Sequence, residues 1–323
     1  MSTRPLQLDN LEYAVGWITA LPHERAAATA MLDENHGPLQ HKNHNDHNIY
    51  TLGSINGPNG KHNVVIASLP AGRYGTASAA TAAAQMLSTF PAIKFGLMVG
   101  IGGGIPNGDS DIRLGDVVVS QPDGSFGEVR QYDCGKATVQ GFEERGALNS
   151  PPRVLLNAIS ALQSKHNMLG SQIPNLLEAM CRAYPVMARP RQGPGFVYQG
   201  TKHDILFQPD YEHPSGNKNC DECDISKRVV RPERDNQDPY IFYGNEVIKD
   251  ARKRDSFSDH LCFETEAAGL MNNLPCLVIR GICDYCDSHK NDRWQRYAAA
   301  VAAAFAKELL QIMDVADVIN MYP

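Results

Sequence analysis

The segment Leu261–Asp287 reads LCFETEAAGLMNNLPCLVIRGICDYCD. Its first apolar residues, followed by Glu264 and Glu266 and then by small residues, predict a short strand that turns into a helix. The apolar run Cys276–Ile279 after the proline predicts a second, buried strand. A strand, a helix and a strand in this order form the repeating unit of parallel sheets, so the segment indicates an α/β fold.

The same segment carries four charged side chains near the predicted strand ends. Glu264 and Glu266 stand at the start of the helix, and Arg280 and Asp284 come at or just beyond the end of the second strand. Ligands of open α/β sheets bind at the carboxyl ends of the strands, which makes these residues candidates for a functional site. They are equally compatible with a structural role, in which the glutamates cap the helix and Arg280 and Asp284 form ion pairs.

The amino-acid composition limits which classes of function are expected. The 323 residues are 42% apolar and 20% charged, with a net charge of −6, as in an ordinary globular protein. The acidic balance disfavours a nucleic-acid partner, so a small molecule is expected. The longest uncharged window, residues 74–93, predicts a packed helix and no membrane span. Residues 1–10 lack an apolar stretch and the eight cysteines fit reduced thiols, so we expect a cytoplasmic protein.

Strands and helices alternate through the rest of the chain. A strand over Tyr13–Thr19 precedes a helix that begins near Pro22, which places Glu24 at the junction as a candidate site residue or a helix-dipole partner. The pattern predicts a single domain with three α/β/α layers around a mainly parallel, twisted central sheet. Residues 189–245 are irregular and are interpreted as an insertion. Further strands are predicted over residues 49–52, 63–69, 95–99, 116–120 and 195–198, and helices over 76–89, 151–164, 173–182 and 294–313.

Two glycine-rich segments are candidates for ligand contact. Arg73 lies in the turn 70–75, where it is suited to a phosphate or a ribose and equally to the surface. Gly100–Gly104 follows an apolar strand, and Pro106 excludes the helix that a dinucleotide-binding fingerprint requires. We therefore expect Gly100–Gly104 to form a loop whose backbone approaches a ligand.

The insertion contains a cysteine pair. Cys220 and Cys223 have the spacing of half a zinc site, with His213 or His203 as a third ligand. No second cysteine pair follows at zinc-finger spacing. The sequence therefore favours a flexible or locally stapled insertion, and it predicts neither a bound metal nor a cofactor.

Several stretches together resemble the nucleoside phosphorylase superfamily, and more closely its methylthioadenosine/adenosylhomocysteine nucleosidases. They are residues 18–24 (ITALPHE), 99–104 (VGIGGG), 114–118 (LGDVV), 263–269 (FETEAAG) and 280–284 (RGICD). Their order and spacing cover nearly the whole chain apart from the insertion. The chain also resembles the nucleoside-phosphorylase-like domains at the front of fungal multidomain receptor proteins, including their Cys-Asp-x-Cys-Asp segment.

The resemblance implies cleavage of an N-ribosidic bond. That reaction passes through a ribosyl cation while the purine departs as an anion unless it is protonated, so the site needs an acid at the base and negative charge near the sugar. The resemblance implies that Asp284 is the acid and that Glu266 accepts the ribose hydroxyls. It implies that Glu24 orients or deprotonates the attacking water, with Arg280 and Glu264 nearby.

The resemblance also indicates six residues around the substrate. They are Ile101 and Gly102 in the glycine loop, Thr265 between the two glutamates, His203 as a base-stacking ring, Asp204 at the purine edge, and Arg73 near the 5′ side, where it favours a 5′-hydroxyl or a phosphate over a methylthio group.

The nucleophile is predicted from the anion site. Leu21–Glu24 stands where phosphorylases of this superfamily have an arginine-rich turn, and apolar Met98 and Ile101 cannot pair with phosphate. The sequence therefore predicts hydrolysis of a purine ribonucleoside, with adenosine first and inosine and guanosine as further candidates. A phosphate-dependent purine nucleoside phosphorylase and a non-catalytic purine-sensing module are the alternatives. We expect a homo-oligomer, with a dimer as the first expectation.

Overall fold

The computed structural model describes residues 6–122, 129–130, 135–138, 141–144, 148–214, 220–244, 246–248, 260–271 and 273–321. The strands are β1 Val15–Thr19, β2 Glu34–Asn35, β3 Tyr50–Gly57, β4 Gly60–Ser68, β5 Phe95–Gly104, β6 Val117–Ser120, β7 Val129–Arg130, β8 Gly135–Thr138, β9 Gly141–Glu144, β10 Ile241–Gly244, β11 Glu246–Ile248, β12 Cys262–Glu264 and β13 Cys276–Asp284. The helices are α1 Pro22–Ala30, α2 Thr76–Thr89, α3 Arg153–Leu169, α4 Ile173–Ala183, α5 Pro185–Ala188, α6 Ala267–Met271, α7 Gln295–Ile312 and α8 Val315–Ile319.

Most of the described strands join one sheet. Its main order is β10-β6-β13-β5-β1-β4-β3-β2, with β12, β11 and β7 joined at the end of β5 and a separate hairpin, β8-β9. The central strands β4, β1, β5 and β13 run parallel, and β10 runs parallel to β6. Antiparallel pairing occurs at β2-β3-β4, β6-β13 and β5-β12. The predicted mainly parallel sheet is confirmed.

Helices cover both faces of this sheet. Alternate strand residues such as Leu97 and Ile279 pack on one face with α1, α3, α4 and α7, whereas Met98 and Val278 pack on the other face with α2 and α6. This two-sided burial explains why the central strands are continuous apolar runs. The alanine-rich helix α7 lies so close to β13 that a Cβ atom on Gly281 would be 1.9 Å from the carbonyl oxygen of Ala298. The three-layer α/β/α architecture is therefore confirmed.

Several predicted boundaries agree with the structure, and α2 spans the predicted residues. The glycine run is different, because Gly100–Gly104 continues β5 as a strand and does not form a loop. The physical reason is that β13 extends beside it, pairing Arg280 with Gly100 and Asp284 with Gly103. Backbone hydrogen bonding to a neighbouring strand thus overrides the turn preference of consecutive glycines.

One predicted strand is wrong. Residues 195–198 form no strand. The N–H of Phe196 donates to the carbonyl oxygen of Met187 in α5, and not to a neighbouring strand. The interpreted insertion, 189–245, contains 3-10 helices over Thr201–His203 and Ile225–Lys227 and ends in β10, which pairs with β6. Its residues 215–219 and 245 lie outside the described ranges. None of the helices described here combines the length and apolarity needed to span a bilayer.

Candidate active site

Glu24 lies at the start of α1, directly after β1 ends. Its Oε2 atom accepts hydrogen bonds from the backbone N–H groups of Ala20 (2.7 Å) and Leu21 (2.8 Å). Its Oε1 atom accepts one from the N–H of Ile101 in β5 (2.8 Å). The side chain is buried, and burial raises the pKa of Glu24, against the opposing effects of Arg280 and these N–H donors. Glu24 therefore caps α1 and also joins the ends of β1 and β5.

Arg280 is fully buried in β13 and is surrounded by carboxylates. Its Nη2 atom donates to Glu264 Oε2 and lies 3.6 Å from Glu266 Oε2, and its Nη1 atom donates to the carbonyl oxygen of Ile101 at 3.5 Å. Glu264 also accepts hydrogen bonds from the N–H groups of Glu266 (2.8 Å) and Ala267 (2.9 Å), which caps α6. Burial raises the pKa of Glu264, and Arg280 opposes the rise. Helix capping and ion pairing, the structural alternative offered by the sequence, are both present here.

The glycines of β5 allow these charged side chains to meet. A Cβ atom on Gly100 would lie 2.5 Å from Glu24 Oε1 and 2.7 Å from Arg280 Nη1. A Cβ atom on Gly102 would lie 2.5 Å from Cys262 Sγ. A side chain at either position would force these groups to shift, so the glycine run serves close packing around Glu24 and Arg280.

Asp284 is the last residue of β13, four residues beyond Arg280. Its Oδ1 atom accepts a hydrogen bond from the N–H of Cys286 (3.0 Å). Its Oδ2 atom lies 3.1 Å from Lys290 Nζ and accepts from the thiol of Cys283 (3.2 Å). The ion pair with Lys290 is half open to solvent, since the lysine side chain is 63% exposed. The carboxylate is thus buried and oriented, with one cation beside it.

One further predicted residue, Thr265, lies next to Glu266. The hydroxyl of Thr265 donates to Glu266 Oε1, and the N–H of Gly75 reaches the same oxygen at 3.3 Å. Arg73 is exposed, two residues earlier in the same turn. The turn 70–75 therefore reaches the carboxylate cluster through Gly75.

His203 and Asp204 lie within the insertion, away from the residues just described. The carbonyl oxygen of His203 accepts a hydrogen bond from Trp294 Nε1 (3.0 Å). Asp204 Oδ2 pairs with Arg231 at 2.9 Å, and Asp204 Oδ1 accepts from the hydroxyl of Tyr285. Both oxygens of Asp204 are therefore occupied by protein partners.

A cavity of about 880 Å³ lies beside Asp204. It is lined mainly by residues 113–116, 201–202, 204–206 and 228–239. Glu24, Glu266, Arg280 and Asp284 do not line it. The carboxylate cluster and this cavity are thus two separate places in the described structure.

Solved structures share this arrangement of strands and helices. A candidate 5′-methylthioadenosine/S-adenosylhomocysteine nucleosidase from Borrelia burgdorferi, bound to adenine, matches with a TM-score of 0.55 at 15% identity, covering 91% of this chain and 98% of that one. The 5′-methylthioadenosine/S-adenosyl homocysteine nucleosidase of Helicobacter pylori matches with a TM-score of 0.53 at 13% identity, covering 92% and 97%. The futalosine hydrolase of Helicobacter pylori also gives 0.53 at 13% identity, covering 93% and 98%. The chain has the nucleoside phosphorylase-like fold.

One curated relative is similar to this chain in amino-acid sequence. It is a nucleotide-binding leucine-rich repeat (NLR)-like protein of Hyaloscypha variabilis, 47% identical over 312 residues. The match covers 94% of this chain, which spans only 30% of the length of that relative. No protein-family profile matches the sequence.

Sequence reasoning missed two contributors to the site of this nucleoside phosphorylase-like protein. Lys290 pairs with Asp284 from an irregular loop, where no periodic pattern marks a position as inward-facing. Gly75 contacts Glu266 through its backbone, which no side-chain motif records. The glycine-flanked turn was a sequence feature that could have indicated Gly75, whereas no sequence feature indicated Lys290.

Proposed function

We propose that the protein hydrolyses the N-ribosidic bond of purine ribonucleosides, adenosine first, to free base and ribose. Support comes from the arrangement of Glu24, Glu266, Arg280 and Asp284 at the ends of adjacent strands. The fold likeness to nucleosidases, one of them bound to adenine, is consistent with this class of reaction.

The observation that carries the proposal is the charge balance around Arg280. Three buried carboxylates, Glu24, Glu264 and Glu266, surround this one guanidinium in the described structure. The N–H of Ile101, at the predicted anion position, already donates to Glu24. An excess of buried negative charge repels phosphate and stabilises a ribosyl cation, so water is favoured as the nucleophile.

The roles at the sugar follow from this geometry. Glu266 presents Oε2 beside Arg280 and is assigned to the ribose hydroxyls. Glu24 is assigned to the attacking water, and its raised pKa makes it a better proton acceptor. Glu264 keeps Arg280 in place by the contact at Nη2 and is a positioning residue.

The roles at the base concern Asp284. The strand rise of about 3.3 Å per residue places its Cα atom on the order of 13 Å from that of Arg280, a span that one nucleoside and two side chains can fill. Asp284 is assigned to hydrogen bonding and protonation of the departing purine. Lys290 and the N–H of Cys286 hold its carboxylate in one orientation.

The test is a product assay with adenosine, inosine and guanosine in phosphate-free buffer. We expect free base and reducing ribose in equal amounts, at the same rate when phosphate is added. Formation of ribose 1-phosphate that requires phosphate would establish a phosphorylase instead. Cytidine serves as the control nucleoside, because its base lacks N7, and it should remain intact.

A non-catalytic purine-binding module is the second candidate. It is favoured by the backbone hydrogen bonds that occupy both oxygens of Glu24, and by the likeness to an NLR-like protein of which this chain spans a part. Calorimetry and the product assay on the same preparation distinguish the two. Purine nucleoside binding without base release would support the module.

A further inference from the structure

Three side chains of zinc-binding type meet in the insertion. The ligand atoms of His213, Cys220 and Cys223 all lie within 4.8 Å of one another. A tetrahedral zinc ion with bonds of about 2.3 Å to sulfur and 2.0 Å to nitrogen separates its ligand atoms by about 3.3 to 3.8 Å. The three atoms are therefore close to a zinc-binding geometry.

The local backbone supports this arrangement. Cys220 and Cys223 flank a tight turn in which the N–H of Cys223 donates to the carbonyl oxygen of Cys220 (3.2 Å). The ring of His213 is oriented by Nδ1, which donates to the carbonyl oxygen of Pro214 (3.0 Å) and thereby leaves the lone pair on Nε2. Fixing one ring nitrogen by a backbone carbonyl is the usual way in which proteins orient a metal-binding histidine.

His289 lies beside this group on the loop that follows β13. Its side chain is buried, and neither ring nitrogen has a hydrogen-bond partner in the described structure. Its ring centre is 5.3 Å from that of His213, and its carbonyl oxygen lies 3.5 Å from Cys220 Sγ. The Nδ1 atom of His289 lies 3.8 Å from Asp287 Oδ2, so this ring packs beside the three ligands and is not one of them.

We infer that His213, Cys220 and Cys223 bind a zinc ion. Two thiolates and one imidazole supply three of the four positions of a tetrahedral zinc site, and the fourth is available to water. The sequence offered His213 as a third ligand beside the cysteine pair, and the structure brings the three ligand atoms together. That site binds a metal independently of any nucleosidase activity.

Other uses of these cysteines fit less well. No disulfide joins Cys220 and Cys223. The second Cys-x-x-Cys pair does not compete for the ion, because Cys283 donates to Asp284 and Cys286 Sγ lies beside Gly103.

The proposed ion would lie where the insertion meets the loop that carries Asp287 and Lys290. The loop of the insertion is closed at its base by a bridge between Phe207 and Arg228. The N–H of His213 donates to Ser288 Oγ (2.9 Å), and the ring of Phe207 stacks on His289 with centres 4.1 Å apart. Zinc at this point therefore adds a crosslink within the insertion, between His213 and the cysteine pair, where the insertion already touches that loop.

The experiment is a titration of the full chain with cobalt(II), after treatment with a chelator in the presence of a reductant. We expect one cobalt ion per chain, with the visible bands of a tetrahedral site and a thiolate charge-transfer band, both abolished by zinc. Cys220→Ser and Cys223→Ser should each weaken zinc binding by at least about a hundredfold, and His213→Ala by about 10- to 100-fold. Cys181→Ser, a change at a similarly half-buried thiol on α4, should leave the affinity unchanged.

Two results would overturn the inference. One is a wild-type chain without the thiolate band, and the other is a zinc affinity that is the same in Cys220→Ser and Cys181→Ser. Wild-type affinity in His213→Ala would remove His213 from the ligand set. Thermal unfolding is a second readout in case a variant folds poorly, because zinc should raise the midpoint of the wild-type chain and leave that of Cys220→Ser unchanged.

Discussion

Two clusters of charged side chains lie at the same edge of the sheet, where β13 ends, and they differ in the ratio of acids to arginines. In the carboxylate cluster, Glu24, Glu264 and Glu266 surround Arg280. In the insertion cluster, each acid has its own arginine: the pairs are Arg234 with Asp116 (2.7 Å), Arg231 with Asp204 (2.9 Å) and Arg113 with Asp111 (2.5 Å).

The difference in charge balance distinguishes a cluster that stabilises the fold from a cluster that is suited to chemistry. Matched pairs neutralise each other and hold the insertion on the sheet without a ligand. Unmatched buried carboxylates are costly in the resting protein and gain stabilisation only when a positive charge arrives. A ribosyl cation would supply such a charge, so the proposed function assigns catalysis to the unmatched cluster.

Breaking the matched cluster should have the largest effect, and it should act on stability. Arg234→Met leaves Asp116 buried without its bidentate partner, so we expect the free energy of unfolding to fall by about 3 kcal/mol. Turnover per folded molecule should stay within twofold of wild type. Urea unfolding and the product assay measure the two quantities.

The matched control is Arg182→Met, which removes an exposed pair with Glu178 on α4. It should cost less than about 0.5 kcal/mol. A stable Arg234→Met protein that loses turnover would show that the insertion cluster takes part in the reaction.

Asp284→Asn should have the next largest effect, on turnover. An amide has nearly the shape of the carboxyl but cannot protonate the purine, so we expect kcat to fall at least about a hundredfold while the nucleoside Kd changes less than about threefold. Asp109→Asn, in the exposed loop after β5, is the control for removal of one acid. Unchanged turnover in Asp284→Asn would exclude Asp284 as the acid.

The sequence predicted the parts of the site that local pattern encodes. Glu24 and Glu264 were found because each stands where an apolar strand meets a helix, and α2 was predicted residue for residue. The strand character of Gly100–Gly104 was not predictable, because it depends on pairing with β13, far along the chain. Lys290 was missed for the same reason: it acts from an irregular loop on a partner, Asp284, that the fold and not the spacing brings near.

His23, beside Glu24 in sequence, provides a pH test of burial at the start of α1. Burial, followed by the nearby Arg296, lowers the pKa of His23 to about 4, so it is neutral at pH 7. Between pH 6.5 and 4 the unfolded chain binds more protons than the folded chain. Stability is therefore fully present above about pH 6.5 and should fall by about 2 kcal/mol as the pH drops through this window.

His23→Gln tests this assignment, because it removes the titrating group and should flatten that part of the profile. The measurement is urea unfolding of both chains from pH 7 to pH 4, compared as a difference so that other titrating groups cancel. Identical slopes would mean that folding does not lower the pKa of His23, which would contradict its burial as the cause of a pH-dependent stability.

The smallest expected effect is that of inorganic phosphate. Because Glu24 occupies the N–H of Ile101 and the local charge is negative, phosphate should shift the thermal midpoint by less than about 1 °C relative to chloride at equal ionic strength. A larger stabilising shift that Glu24→Gln increases further would mean that an anion enters beside Arg280. In that case Arg280 would bind phosphate, and the carboxylates would not be reserved for a cationic transition state. The same residues would then be explained better by phosphorolysis.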